Sequence, residues 1–338
     1  MAIMLFALFA IAISCEKKSG GEAKQISPAT AEAEQYKSKK DLKAIKVGYC
    51  TPSLNAPFYA ALQAAIKAKV ESYGMTFVSA DGQDDISKQI AAVEDLIAKG
   101  VNVLILNPLD PEALAPITKV ASKNGIAVFI VDSQISDAAE YVSSIQANNN
   151  GNGILIGEWV ANKIGSTPLK IAVISGAKGN PVGRLKRQGM FNGLTETQLS
   201  KNGFTTLNIV AQGWGNWANN GGLKAMEDIL VAHPDINVLL AENDAMAMGA
   251  LKAIQQNEKA KNVLVVGVDG QKEAYELIRK GVLGCTALNS PKELGKLVVE
   301  SAVKYLNDDK SLQKVILTPA IVVDKNNVAD YYDPKAIF

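Results

Sequence analysis

The stretch KVGYCTPSLNAPFYAAL, residues 46–62, joins an apolar run to the start of a helix. The run KVGYC has the composition of a buried strand, and Pro57 suits the first position of a helix, where no backbone donor is needed. Neighbouring helix positions point about 100° apart, so Phe58 and Tyr59 cannot both face a sheet. We therefore expect a strand–corner–helix unit in which at least one ring looks out over the end of the strand.

The same unit recurs along the chain from about Lys43 onward. The strand candidates are IKVGYC (45–50), MTFVSAD (75–81), VNVLILN (101–107), IAVFIVD (126–132), LKIAVISG (169–176), TLNIVAQG (206–213), INVLLAEN (236–243) and NVLVVGVD (262–269). The helix candidates are 57–73, 86–99, 112–124, 184–200, 219–232, 245–256 and 271–280. Apolar strands alternating with helices predict α/β architecture: two doubly wound parallel-sheet domains in succession, with VSSIQANNNGNG (142–153) between them.

The segment 283–324 predicts one strand, one long helix and one further strand, which is too little for a third domain. We expect it to cross back and complete both halves, so that the chain passes between the domains more than once and forms a hinge. The predicted bounds are 44–147 plus 290–318 for the first domain and 148–289 plus 319–333 for the second.

The first 43 residues differ in kind from the rest. IMLFALFAIAIS, residues 3–14, has the length of a signal-peptide core and is too short for a good transmembrane helix. Small residues then precede Cys15, and residues 1–15 resemble a bacterial lipoprotein signal with Cys15 as the lipidated residue. The alternatives are a plain secretion signal or an uncleaved anchor, and each implies export. Residues 16–43 are rich in Lys, Glu, Ala, Ser and Gly and are expected to form a flexible tether.

Composition argues against several classes of function. The 338 residues include 35 basic and 34 acidic side chains, and no basic cluster with interleaved aromatics favours nucleic acid. His233 is the single histidine, which excludes a histidine metal cluster and leaves one residue for any Ser-His-Asp triad. The first corner has no Gly-rich turn for NAD, and SGAKGNPVGRLK (175–186) lacks the spacing of a phosphate loop. We expect no enzymatic activity, metal or cofactor. Cys50 and Cys285 are expected to be free core thiols, although export permits a disulfide.

Polar or aromatic residues follow nearly every predicted strand. They include Asn55, Phe58, Tyr59, Asp81, Gln83, Asn107, Asp132, Gln134, Arg184, Trp214, Trp217, Glu242, Asn243, Asp244, Asp269, Gln271 and Asn289. In doubly wound sheets the ligand crevice lies outside the carboxyl ends of the strands. Many of the Asn and Asp residues also suit turns and helix caps, but this does not explain the aromatic residues. Two such domains facing each other would line a cleft with these side chains.

Amides, carboxylates, an arginine and aromatic rings, without a nucleophile–base pair, are typical of sugar recognition. Sugar hydroxyls donate and accept, so Asp and Asn can each engage two of them, and arginine offers a rigid donor fork. The C–H faces of a sugar ring are apolar and pack on aromatic rings. We expect Phe58 and Trp217 to hold a sugar between the two domains.

From about Lys43 to Asn327 the sequence resembles the ribose-type periplasmic binding proteins, the sugar-binding components of ABC transporters. The segments that carry the resemblance are LNAPFYAAL, KGVNVLILNP, VFIVDSQ, HPDINVLLAENDAMAMGALKA and VVGVDGQKEA. The resemblance implies a monomer of two α/β domains joined by three crossings, closing on one monosaccharide and delivering it to a membrane permease. A chemosensory or quorum-sensing component, read by a membrane chemoreceptor, is the alternative, because fold and pocket do not separate transport from sensing.

Position by position, the resemblance implies a set of ligand contacts. They are Phe58 and Tyr59 as an aromatic pair, Trp217 as the opposing ring, Asp132 as the carboxylate that grips ring hydroxyls, and Asn243, Asp269 and Asn289 as further polar contacts. The arginine at the start of the second domain's first helix is Arg184 or Arg187, of which Arg184 is nearer the strand end.

Three positions depart from the family pattern. Ser133 stands where many members have arginine, Asn289 stands where ribose binders carry glutamine, and Ala56 replaces an expected asparagine, with Asn55 adjacent. The losses shrink the donor set of the first domain and argue against ribose itself. Another pentose or hexose, a polyol such as inositol, or a furanose-like signal molecule would fit the class.

Overall fold

Two six-stranded sheets organise the protein, and the computed structural model describes residues 36–258, 260, 262–309 and 311–338. The predicted lipoprotein signal, Cys15 and most of the tether lie outside these residues. The first sheet contains β1 (Lys46–Thr51), β2 (Thr76–Asp81), β3 (Val103–Leu106), β4 (Ala127–Val131), β5 (Ser143–Ala147) and β11 (Val315–Thr318). Its strand order is β11-β5-β4-β3-β1-β2, and all of its strand pairs are parallel.

The second sheet repeats this plan with one antiparallel edge. It contains β6 (Ile171–Ser175), β7 (Ile209–Trp214), β8 (Val238–Ala241), β9 (Leu264–Val266), β10 (Cys285–Ala287) and β12 (Val322–Asp324). The strand order is β12-β10-β9-β8-β6-β7, and only β12 runs antiparallel to its neighbour. We call the elements around the two sheets the first and second domains.

Helices cover both faces of each sheet. They are α1 (Pro57–Ser72), α2 (Ile86–Ala98), α3 (Ala115–Lys123), α4 (Asn149–Ile164), α5 (Pro181–Asn202), α6 (Asn219–Ala232), α7 (Asp244–Gln256), α8 (Lys272–Arg279) and α9 (Pro291–Leu306). In the first domain, α1 and α9 pack on one face and α2 and α3 on the other. In the second, α6, α7 and α8 oppose α4 and α5. Strands β3, β4 and β5 are buried throughout, as expected for a sheet covered on both sides.

The chain crosses between the domains three times. The crossings join β5 to α4, β10 to α9 and β11 to β12. The predicted fold class, two doubly wound domains with a three-crossing hinge, is confirmed. The crossings place the ends of the strands of both sheets around one interdomain space.

Two expectations about the chain's elements are wrong. VSSIQANNNGNG, for which the sequence predicts no strand or helix, contains β5 and the start of α4. Helix α4 forms through its glycines because it lies backbone to backbone against α5: a Cβ at Gly153 would come within 2.2 Å of the Lys186 carbonyl oxygen. The single strand expected in residues 315–324 is two strands, one in each sheet, separated at Pro319, which has no N–H to donate to a ladder.

Cys50 and Cys285 are both buried and free, as the apolar runs around them predicted. They lie in different sheets. Burial raises the pKa of the Cys50 thiol to about 12, which keeps it protonated and unreactive at neutral pH. Within the part of the chain that the structure describes, no helix is both long and apolar enough to cross a membrane.

Candidate functional site

A cleft lies between the two domains at the carboxyl ends of their strands, and its empty space, including the part open to solvent, is about 490 Å³. The first domain lines it with Ala56, Pro57, Phe58, Tyr59, Asp132 and Ser133. The second domain contributes Asn180, Val182, Lys186, Trp217, Asn243, Ala245, Asp269 and Gln271. Asn289 on the second crossing and Phe338 at the end of the sequence complete the lining.

The aromatic pair Phe58 and Tyr59 begins α1 directly after Pro57 and forms one side of the cleft. The two rings meet edge to face, with centroids 6.0 Å apart and planes at 81°. Phe58 also packs into the apolar core of the first domain. Burial raises the pKa of the Tyr59 hydroxyl well above its usual range, and the nearby Asp132 carboxylate adds to the effect, so Tyr59 stays a hydrogen-bond donor.

Asp132 follows β4 in a left-handed backbone conformation, with φ 65°, that turns its side chain into the cleft. Asn107, at the end of β3, donates from Nδ2 to Asp132 Oδ2 over 3.0 Å and accepts from the Ser133 backbone N–H over 3.3 Å. Burial raises the pKa of Asp132 to about 6, while the Asn107 hydrogen bond and the charge of Lys186 act in the lowering direction. Asn107 therefore orients both Asp132 and Ser133.

Asp269 lies opposite, after β9, and is held by a cation and an amide. Lys186 Nζ is 2.9 Å from Asp269 Oδ1, and Asn289 Nδ2 donates to the same oxygen over 3.3 Å. Lys186 is only 1% exposed, so this ion pair is shielded from water. Burial raises the pKa of Asp269, and Lys186 opposes that rise. The side-chain oxygen of the same Asn289, Oδ1, is buried and has no hydrogen-bond partner among the described residues.

Trp217 is fixed in place by its backbone and by three neighbours. Its φ of 62° is left-handed, and Asn243 Nδ2 donates to the Trp217 carbonyl over 3.1 Å while Asn243 Oδ1 caps α7. The ring covers Gly176 so closely that a Cβ there would be 2.1 Å from ring atoms. Lys186 Nζ lies 5.4 Å from the ring centroid. The indole is thus presented to the cleft in one orientation.

Two further buried carboxylates hold the loops of the second domain. Glu242 accepts from Ser175 Oγ over 2.8 Å and from the Gly176 N–H over 2.9 Å, and it pairs with Arg187. Asp244 accepts from the backbone N–H groups of residues 270 and 271 over 2.8 and 2.9 Å. Burial, with repulsion from Asp269, raises the pKa of Asp244 to about 8. Glu242 thus supports the backbone beneath the Trp217 indole, and Asp244 supports the turn that carries Asp269.

The cleft brings together the predicted contact residues with three exceptions. Asn55 is exposed and donates to Asp84 Oδ2 over 3.1 Å. Arg184 is also exposed, and Arg187 lies beneath the site with Glu242, so neither is among the described residues that line the cleft.

Lys186, which the sequence did not single out, places a positive charge in the cleft beside Asp269. Helix α5 begins at Pro181 with Asn180 as its cap, and Val182 and Lys186, four residues apart, share the face toward the cleft. The sequence predicts of Gln271 only that it follows a strand, and no local pattern indicates Phe338.

The family profile for the periplasmic binding protein domain matches residues 47–310. The chain belongs to the periplasmic binding protein family. It is 32% identical over 277 residues to the ribose import binding protein RbsB of Bacillus subtilis, which covers 82% of this chain and 86% of that protein. The Escherichia coli RbsB is 30% identical over 271 residues, covering 80% and 88%. The resemblance to ribose-type binding proteins is thereby confirmed.

A solved structure agrees with these sequence matches. The crystal structure of an ABC transporter solute binding protein from Mycobacterium smegmatis with bound glycerol has 33% identity and a TM-score of 0.77. The match covers 85% of this chain and 96% of that one. The family implies an extracytoplasmic location for the protein.

Proposed function

We propose that the protein binds one monosaccharide or related polyol in the interdomain cleft and delivers it to the permease of an ABC transporter. The observation that carries the proposal is a group of buried acceptors between aromatic rings. Asn289 Oδ1 has no partner in the described part of the chain, and the buried carboxylates of Asp132 and Asp269 line the cleft with it. Phe58 and Trp217 add apolar ring surface to the same space.

A polyhydroxylated ligand matches this chemistry. Leaving a buried acceptor unpaired costs about 1–3 kcal/mol, and a hydroxyl donor would remove that cost. Asp132 Oδ2 accepts from Asn107, and Asp269 Oδ1 accepts from Lys186. Because a carboxylate has about four lone-pair sites, each can also accept hydrogen bonds from the ligand. The aromatic rings suit the C–H face of a sugar.

Binding would work by closing the hinge. Asp132 belongs to the first domain, Asp269 to the second and Asn289 to a crossing between them, so one ligand touching all three stabilises the closed form. The permease would recognise the closed surface. No covalent step is part of this proposal: the protein acts as a binding protein, as a monomer, with Cys15 as its lipid anchor at the extracytoplasmic face.

A thermal-shift panel tests the proposal. The protein, freed of co-purified ligand, is heated with D-ribose, L-arabinose, D-galactose, D-fucose, myo-inositol and glycerol. A ligand that binds only the folded state raises the melting temperature with its concentration. Trp217→Ala should abolish the shift, whereas Trp214→Ala, at a 40%-exposed ring outside the cleft lining, should keep it. Folded wild-type protein that shows no shift with any sugar or polyol would reject the proposal.

A further inference from the structure

The last eight residues of the sequence, 331–338, touch both domains and are called the strap here. Their first part is held on the second domain. Tyr331 and Tyr332 pack against that domain's core, and the Tyr332 hydroxyl donates to Glu276 Oε1 on α8 over 3.1 Å. The Arg279 guanidinium stacks 4.8 Å from the Tyr332 ring centroid. The strap is thus attached to α8 before it reaches the cleft.

The other end of the strap has one anchor on each domain. Lys272 Nζ, at the start of α8, donates to the Ala336 carbonyl over 2.8 Å. Two residues later, the Phe338 ring packs edge to face on Phe58, with centroids 5.6 Å apart and planes at 83°. Phe338 packs against the apolar core of the first domain and lines the cleft, whereas Ile337 between the two anchors is 77% exposed.

We propose that Phe338 is a ligand-site residue and that the strap holds the closed form of the cleft. Phe338 extends the aromatic wall that Phe58 presents, so it limits the ligand's room on that side. The proposal rests on the proposed function for its ligand. The strap is a fourth connection between domains that the hinge already joins three times.

Chain length explains why the strap acts on opening. The two residue steps from Ala336 to Phe338 span at most about 7 Å when fully extended. Lys272 and Phe58 lie on opposite domains, so a hinge motion that separates them beyond this reach breaks either the Lys272–Ala336 hydrogen bond or the contact between the two rings. Ligand release therefore includes the loss of one strap anchor, and weakening an anchor should speed release.

The dissociation rate tests the strap in the full-length protein. Stopped-flow tryptophan fluorescence is recorded for wild type, Phe338→Ala and the matched control Ile337→Ala, with those of D-ribose, D-galactose and myo-inositol that bind wild type. An edge-to-face aromatic contact corresponds to about a 2- to 10-fold effect, so Phe338→Ala should dissociate faster by that factor. Ile337→Ala should match wild type. Lys272→Met, which removes the other anchor and keeps the ring, should also dissociate faster.

A ligand-free measurement separates failure of the strap from failure of the proposed function. Small-angle scattering should show a larger radius of gyration for ligand-free Phe338→Ala than for wild type, because the open form gains population. If no sugar or polyol of the thermal-shift panel binds wild type, the proposed function fails while the scattering still decides the strap. Equal dissociation rates, or equal radii of gyration where no probe binds, would overturn the proposal.

Discussion

Lys186→Met should lower the free energy of unfolding by an amount that depends on pH. Lys186 is the buried partner of Asp269, and breaking a buried pair typically costs about 3–5 kcal/mol. A second route gives a similar figure: keeping Asp269 protonated against an unfolded-state pKa of about 3.9 costs about 1.4 kcal/mol per pH unit, or about 5 kcal/mol at pH 7.5 and about 1.5 kcal/mol at pH 5. The variant should therefore lose about 3–5 kcal/mol at pH 7.5 and about 1.5 kcal/mol at pH 5.

The sign follows from proton binding. Without its cation, the Asp269 carboxyl binds a proton more tightly in the folded protein than in the unfolded chain, so folding weakens as the pH rises above about 4. Urea unfolding followed by circular dichroism at the two pH values measures the loss. Lys224→Met, at an exposed position on α6, is the matched control and should change stability by less than about 0.5 kcal/mol. A loss that is equal at both pH values would refute the assignment of Lys186 as the counter-charge of Asp269.

The remaining predictions concern the Trp217 ring, the Gly176 that it covers and two carboxylates. Trp217→Ala should weaken sugar binding in calorimetry by about 100-fold or more, as for a central aromatic contact, while the protein still melts cooperatively; a collapse of the melting transition would instead make the ring part of the core. Gly176→Ala should weaken binding by about tenfold, since its Cβ would lie 2.1 Å from the indole and displace it; wild-type affinity would contradict this close contact. Because the pKa of Asp132 is about 6, sugar affinity should fall between pH 7.5 and pH 5 as the carboxylate is protonated and accepts fewer hydrogen bonds; an affinity independent of pH would exclude Asp132 as an acceptor. The folded-state pKa of Asp244 is about 8, so its contribution to stability falls as the pH rises from about 4 to about 8. Urea unfolding should show that Asp244→Asn removes this pH dependence with little loss of stability at pH 7. An undiminished pH dependence would assign it to other groups.

The alternation of strands and helices was predictable because each buried strand is a continuous apolar run. The same local reasoning missed α4, whose first turns read NNNGNG and resemble a loop. Its glycines are contact points: a Cβ at Gly157 would come within 2.1 Å of the Met190 carbonyl oxygen of α5. The residues near α4 in the sequence do not indicate that α5 packs against it, so the glycines are interpreted as helix breakers.

The cleft was predictable where the side chain follows the apolar run of a predicted strand, as the side chains of Asp132 and Asp269 do. Its cation was not, because Arg184, Lys186 and Arg187 are close together and the guanidinium is the better donor fork. Which of them enters the cleft depends on the rotation of α5, and that rotation is set by its cap and its packing on α4. Phe338 lies at the cleft through long-range folding alone, which no local pattern encodes.

The first sheet takes its outer strand from late in the chain, and this affects how the protein can be made. Residue 144 in β5 pairs with residue 315 in β11, and α1 is covered by α9. Until residues 291–318 are available, β5 presents an unpaired edge and α1 an uncovered apolar face, and both favour association with other chains. Such distant pairings also form slowly. A nascent chain lacking these residues cannot complete its first domain, so we expect it to remain incompletely folded, the condition in which a polypeptide can be threaded across a membrane before it folds.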